Sequence, residues 1–196
     1  MRLHIRVEQL VVETFSVVLG ILLALAANTW HDSRAHAAQA RDALVGIRAE
    51  VAANRVTLDA KLGYHVVMHD SLDALVARTH GQEPPGGLLA IKGWNGISPP
   101  RLVDNAWQAA AATGAMQHIP AAMVLQLAKT YSLQRRVDDI QRAFFSIVYT
   151  PQFALGGVGA IASMASFLGD LSVNENHLLA QYDTVLVGFG AAARIR

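Results

Sequence analysis

The sequence predicts an all-α protein in which one N-terminal transmembrane helix continues into a long amphipathic helix, followed by a small extracytoplasmic helical domain. Residues 10–30 form an apolar run that can cross a bilayer, since a core of about 30 Å needs about 20 helical residues. Residues 31–79 lack proline and repeat apolar side chains at helical spacing. Beyond residue 101, helical patterns alternate with glycine and proline. These observations divide the chain into five parts: a short cytoplasmic N-terminus (1–9), the membrane helix (10–30), an amphipathic stalk helix (31–80), a Pro/Gly-rich loop (81–101) and the helical extracytoplasmic domain (102–196).

The charges around the apolar run predict its orientation. Arg2 and Arg6 precede it, whereas the charges of the opposite flank nearly cancel, which places the N-terminus inside and the domain outside. A cleaved signal peptide is the alternative, because Ala24 and Ala26 resemble a cleavage site. Glu13 lies inside what would be the apolar core of that signal, so we expect an uncleaved anchor.

One face of the membrane helix carries small and polar residues at spacings of three and four. Such a face lets another helix backbone approach closely, which is how membrane helices associate in lipid. The alternative is that these residues are incidental in an alanine-rich chain and that the carboxylate reaches the nearby membrane surface. We predict a helix-packing face, the membrane face, formed by Glu13, Ser16, Gly20, Ala24 and Ala27.

The stalk is predicted to be continuous with the anchor, as one helix over residues 9–79. Its apolar seam also includes Asn54 and His65, polar residues that can fix the register of packed helices. The apolar seam positions are Leu44, Ile47, Val51, Leu58, Met68, Leu72 and Leu75.

Prolines and glycines end this helix and begin a long connection. Pro84, Pro85 and the neighbouring glycines remove amide donors, and residues 88–94 form either a short strand or an ordered cover over the domain. Two helices follow, over residues 102–113, stopped by Gly114, and over residues 121–148, with Pro120 at its first turn.

The last part of the chain raises the question of a second span. Residues 144–169 carry no charge, but Pro151 and the glycines at 156, 157 and 159 leave only residues 158–169 as helix. That length favours a buried core helix over a second span. Ser172 and Glu175 form the spacing of a capping box, which predicts that a separate final helix starts there.

Composition excludes several classes of function. The 16 basic and 15 acidic residues are interspersed, and no basic patch with aromatic residues points to nucleic acid. The chain has no cysteine, so disulfides, thiolate metal sites and a cysteine nucleophile are excluded. Neither a serine-hydrolase elbow nor a phosphate-binding loop occurs in its required context. We therefore expect no enzyme, no catalytic residue and no cofactor.

Several of these residues resemble a known group. The sequence Glu13, residues 18–25, Asn28-x-Trp30, Arg34 and Glu50-x-x-x-Asn54 is similar to the start of the DUF6090-like single-span membrane proteins of bacteria. Ala106-Trp107-x-x-Ala110, Thr113-Gly114-Ala115 and Tyr131 resemble the helical region of that group. The resemblance implies an N-terminal anchor and a helical extracytoplasmic domain, and it carries over no catalytic residue. We therefore expect a single-pass protein of the bacterial inner membrane with a cytoplasmic N-terminus and a periplasmic domain.

Two sets of residues are weak candidates for a binding site. His65 and His69 lie four residues apart, with Asp70 and Asp73 nearby, a spacing that can hold a metal if a third ligand comes from elsewhere. Without a second histidine pair or an HExxH motif, surface or seam histidines are the favoured interpretation. The second set would line a pocket, although tryptophans on amphipathic helices more often belong to the core; it comprises Trp94, Trp107, Gln108 and Thr113.

Two classes of function remain. The favoured one is an accessory or structural subunit, anchored in the lipid bilayer by one helix and packed on other membrane protein subunits or on copies of itself. The alternative is a periplasmic ligand- or metal-binding module tethered to the membrane.

Overall fold

A computed structural model describes residues 7–80, 82, 91–150, 153 and 157–192. The described residues form helices joined by irregular segments, so the predicted all-α fold is confirmed. The four α-helices are α1 (Val7–Thr79), α2 (Asn105–Ala112), α3 (Ala121–Val148) and α4 (Val158–Ala192), with a short 3-10 helix at Ala115–His118 between α2 and α3. Arg2, Arg6, Pro151, the glycine at 156 and most of the predicted loop, residues 83–90, lie outside the described residues.

Helix α1 joins an exposed apolar half to a packed half. Residues 10–37 are exposed, including most of the large apolar side chains of the predicted anchor. From Ala40 onward one face is buried, and Ile47, Val51 and Leu58 are fully enclosed. The predicted helix over residues 9–79 is confirmed, as is the burial of Asn54 and His65 on its seam. Among the described helices, α1 alone has a stretch long and apolar enough to cross a membrane.

The packed half of α1 forms a bundle with α3 and α4. Contacts of Arg55 with Asp183 and of His65 with Glu175 show that α4 runs antiparallel to α1. Gln126 lies beside Gly188 and Gln134 beside Tyr182, so α3 is antiparallel to α4 and parallel to α1. The predicted bounds of α3 agree with the structure, and its predicted apolar stripe supplies Leu127, Tyr131, Val137 and Phe144 to the core.

The chain between α1 and α3 returns along α1 toward the exposed half. Tyr64 donates to the Gly96 carbonyl, Asn54 binds the backbone of Val103, and Gln39 donates to the Thr113 carbonyl. Residues 91–94 form a turn closed by the Trp94 amide and the Ile91 carbonyl, with both side chains on the core, so this part acts as a cover.

Helix α2 is shorter than the sequence predicts. The prediction of a start at residue 102 is wrong, because Asn54 binds both the amide and the carbonyl of Val103 and holds that backbone outside the helix. The helix ends before Gly114, whose φ of 74° suits a residue without a Cβ. Pro120 is the N-cap of α3, one position before its first turn.

The prediction of a separate final helix at Ser172 is wrong. Helix α4 runs unbroken through this position. The Ser172 hydroxyl donates to the Gly169 carbonyl within the helix, and the Glu175 carboxylate turns to His65 of α1. Ser172 therefore lies in a helix interior, and Glu175 makes a tertiary contact instead of capping a helix. Residues 158–169 do lie in the core as predicted, through Ile161, Met164 and Leu168.

Candidate functional site

Within the part of the chain that the structure describes, no other segment packs on the membrane face. Glu13, Ser16, Gly20, Ala24 and Ala27 are exposed, and a Cβ added at Gly20 would have nothing within 4 Å. The Ser16 hydroxyl donates to the Val12 carbonyl at 2.9 Å, so its polar hydrogen is satisfied within the helix. This face can therefore receive another helix without first breaking a contact inside the chain.

His65 and His69 have separate protein partners. His65 is fully buried, with Nδ1 2.7 Å from Glu175 Oε2 and Nε2 2.8 Å from the Ile97 carbonyl oxygen. His69 Nδ1 lies 2.9 Å from the Ala165 carbonyl oxygen, and its Nε2 is 4.0 Å from Asp73. In the part of the chain that the structure describes, no group of three or more potential ligands gathers to hold a metal ion. The two histidines tie α1 to α4 and to the cover.

The partners of His65 determine where protons sit in this pair. The Ile97 carbonyl only accepts, so Nε2 carries a hydrogen. Nδ1 then either donates to an ionised Glu175 or accepts from a protonated one, and in both states the pair has no net charge. Glu175 is fully buried and its Oε1 has no hydrogen-bond partner among the described residues, so the stability of this pair depends on His65.

A second polar cluster surrounds Glu50 of α1. Its Oε1 accepts from the Tyr131 hydroxyl at 2.6 Å, and its Oε2 accepts from the Ala106 amide at 2.8 Å, in the first turn of α2. Trp107 stacks on Tyr131 with ring centroids 5.0 Å apart. Glu50 thus fixes the start of α2 and one residue of α3. Four of the residues that carry the resemblance described above therefore meet here, although no binding motif marks Glu50 as a site residue.

A network of uncharged polar groups lies one turn further along α1. Asn54 and Gln134 both donate to the Val103 carbonyl, and the Tyr182 hydroxyl donates to Gln134 Oε1 at 2.7 Å. Burial raises the pKa of Tyr131 and of Tyr182, and for Tyr131 the hydrogen bond to Glu50 adds to this effect. The network joins α1, α3, α4 and the returning segment without burying an unpaired charge.

The structure does not bring the predicted pocket residues together. Trp107 packs on Tyr131, Trp94 packs on the core beside Ile91, and the exposed Gln108 donates to Asp104. Thr113 lines an open groove of about 370 Å³ between α1 and α2, whose other walls are mainly alanine and Gly46. The groove brings no nucleophile and base together.

The sequence was compared with known proteins in three ways. No model of a known protein family matches the chain, and searches of curated proteins and of solved structures give no significant match either. The resemblance to DUF6090-like proteins therefore rests on the quoted motifs alone and remains a prediction.

Proposed function

We propose that this protein is a single-span membrane protein that acts as a non-enzymatic accessory or structural subunit, through association with other membrane proteins or with copies of itself. The observation that carries the proposal is the exposed apolar half of α1, which is continuous with the buried seam of the domain. A helix of this hydropathy on which no described part of the chain packs needs lipid or another protein around it.

The position of the domain also supports a role at the membrane. Contacts between α1 and the domain begin at His36, which stacks on His118 at 4.0 Å, and continue with Gln39. His36 lies six positions after Trp30, about 9 Å along the helix. The domain is therefore held close to the membrane surface by a continuous helix.

We further propose that the N-terminus is cytoplasmic and that the domain lies in the periplasm, as in the bacterial proteins that the sequence resembles. The basic residues before the span support this orientation. A reporter that is active only in the periplasm, fused after Arg196, should be active. An inactive periplasmic fusion with an active cytoplasmic one would overturn the orientation without affecting the span.

A tethered ligand- or metal-binding module remains the weaker candidate. The contacts of His65 and His69 use most of their ring nitrogens within the protein, and the predicted tryptophan pocket is not assembled. Association through helices needs no such site.

The proposal is tested by extraction and by a pair of substitutions in the membrane helix. The protein should stay in the membrane fraction during an alkaline wash and purify in mild detergent as a stoichiometric complex. Gly20→Ile should reduce recovery of the complex, because a branched side chain fills the space that glycine leaves for a neighbouring backbone. Leu22→Ile, on the opposite face, should have little effect. A monomeric protein without a partner would contradict the proposed function.

A further inference from the structure

Helix α1 has a second apolar face within the domain. Val45, Val56 and Val67 project away from the buried seam and are 69%, 66% and 57% exposed. The residues between them along the centre of this side are alanine or glycine, and the exposed charged residues Arg48 and Asp59 lie along one edge of it. We call this surface the outer strip; it comprises Val45, Ala49, Ala52, Val56, Ala60, Gly63 and Val67.

The outer strip differs from the solvent-facing sides of the other two bundle helices. Helix α3 exposes Lys129, Arg136 and Asp139, and α4 exposes Asp170 and His177. A helix face that stays in water normally carries such polar side chains opposite its buried side. The outer strip has the composition of a packed surface, although none of the residues that the structure describes covers it.

The outer strip lies on the same side of α1 as the membrane face. Each membrane-face residue has a counterpart 36 positions later, which is about ten turns of a helix with 3.6 residues per turn. The pairs are Glu13 and Ala49, Ser16 and Ala52, Gly20 and Val56, Ala24 and Ala60, and Ala27 and Gly63. Because α1 is unbroken, the two surfaces form one face from Glu13 to Val67, about 80 Å long.

We propose that a second copy of this chain covers the entire face, as a parallel two-fold dimer. The proposal rests on the proposed membrane span. A partner that contacts both halves needs a helix that leaves the membrane in the same direction and continues for the same length. A second copy inserted in the same orientation has such a helix, with every residue at the same height, and an isologous contact pairs each surface with itself.

Size and charge both fit this occupant. Helix axes pack 8–10 Å apart, so a strip about 10 Å wide and about 80 Å long covers on the order of 800 Å² per chain, the size of a standard specific interface. The centre of the strip carries no charge, and Arg48 and Asp59 both lie on one edge of it, so the two-fold axis keeps each of them apart from its own copy. Arg41 and Asp42 flank its membrane-proximal end on opposite sides, so the two-fold axis brings Arg41 of each chain near Asp42 of the other.

Cysteine cross-linking in membranes tests the dimer directly, because the natural chain has no cysteine. Single variants Gly20→Cys, Val45→Cys and Val56→Cys are treated with an oxidant and analysed on non-reducing gels. Each should form a cross-linked dimer, because in a parallel two-fold pair each cysteine faces its own counterpart. Leu125→Cys on α3 is the control, since Leu125 is 71% exposed, as accessible as Val56 but on another surface. Equal cross-linking of Leu125→Cys and Val56→Cys, or none at Val45 and Val56, would overturn the proposal.

A charge substitution gives the second test. Val56→Arg should leave the fold of the single chain intact, because Val56 faces solvent there, but should raise the dimer dissociation constant about tenfold or more by placing two like charges in the contact. Leu125→Arg should change neither fold nor association. A dimer that tolerates Val56→Arg would exclude the outer strip from the contact. A stoichiometric complex with a different protein, without self-cross-linking, would overturn the dimer and leave the proposed function standing. A partner-free monomer would overturn both.

Discussion

At the scale of single residues, His65 and Glu175 form a contact whose loss is expected to be costly. Both are fully buried, and Glu175 Oε2 has His65 as its hydrogen-bond partner. His65→Phe leaves a carboxyl group buried alone, so we expect a loss of about 3–5 kcal/mol in the free energy of unfolding. The measurement is urea unfolding of the full chain in mild detergent, followed by circular dichroism.

Replacing both partners tests whether this loss comes from the stranded carboxyl group. The double variant His65→Phe/Glu175→Leu should recover much of the stability, because it leaves no buried charge. His177→Ala, at an exposed position of the same helix as Glu175, is the control and should change little. A double variant as unstable as His65→Phe would mean that the volume at this site matters more than its charge.

The absence of a side chain at Gly169 of α4 leaves room for His69 of α1. A Cβ at this position would lie 2.9 Å from His69 Cε1, and the His69 ring is held by its hydrogen bond to the Ala165 carbonyl. Gly169→Ala should therefore destabilise the protein by about 1 kcal/mol, the value of that hydrogen bond. In a His69→Ala background the same substitution should stabilise the protein by about 0.5–1 kcal/mol, because alanine favours a helix interior over glycine. Thermal unfolding of the natural protein and of the three variants measures this change of sign.

Tyr131 and Tyr182 predict how stability depends on alkaline pH. Their pKa values are raised in the folded protein by burial, so both phenols stay protonated at a pH where the unfolded chain loses those protons. The unfolded state then binds fewer protons, and stability falls as the pH rises above about 10, by up to about 1.4 kcal/mol per pH unit for each tyrosine. In urea unfolding from pH 9 to 11, Tyr182→Phe should show a shallower fall than the natural protein. An unchanged slope would contradict the role of Tyr182.

At the scale of elements, substitution of Ser172 distinguishes a helix start at this position from a helix interior. A capping serine replaced by alanine typically costs about 1 kcal/mol. In the structure its hydroxyl only returns to the Gly169 carbonyl, three residues earlier in the same helix. Ser172→Ala should therefore change the free energy of unfolding by less than about 0.5 kcal/mol. A loss of 1 kcal/mol or more would restore the interpretation of a helix start at this position.

The bounds of α1 and α3 could be predicted because their signals are local. Apolar spacing defines both helices, and proline or glycine marks their ends. The continuity of α4 could not be predicted in this way, because Ser172 and Glu175 match the spacing of a capping box. The Glu175 carboxylate instead binds His65, which is distant in sequence. The late start of α2 has the same origin, since Asn54 binds Val103 from 49 positions away.

The partners in the buried polar clusters could not be predicted either, because they too are distant in sequence. The register of α1 places Asn54 and His65 on its seam, but periodicity does not identify the partners that satisfy them. The sequence also marks the membrane face more clearly than the outer strip. Alanine and valine on a stalk helix become conspicuous only when the bundle buries the opposite side of α1 and leaves Val45 and Val56 exposed.

At the scale of the whole molecule, the continuous helix α1 fixes how the domain is rotated about the helix axis relative to the membrane face. Residues 31–35 are exposed and lie between Trp30 and the first domain contact at His36. A change in the number of residues here rotates the domain about the helix axis and leaves its own packing intact. The proposed dimer requires that both halves of the face point to the same neighbour at once.

Two insertions after Asp32 test this requirement. Two alanines rotate the domain by about 200°, whereas seven alanines rotate it to within about 20° of its original direction. With two added residues, Gly20→Cys should still cross-link, because the membrane helices can still pair, but Val56→Cys should lose its cross-link. With seven, both should cross-link, although the domain is lifted by about 10 Å. If Val56→Cys cross-links equally in both insertions, the domains pair independently of the membrane helices and α1 does not transmit their register.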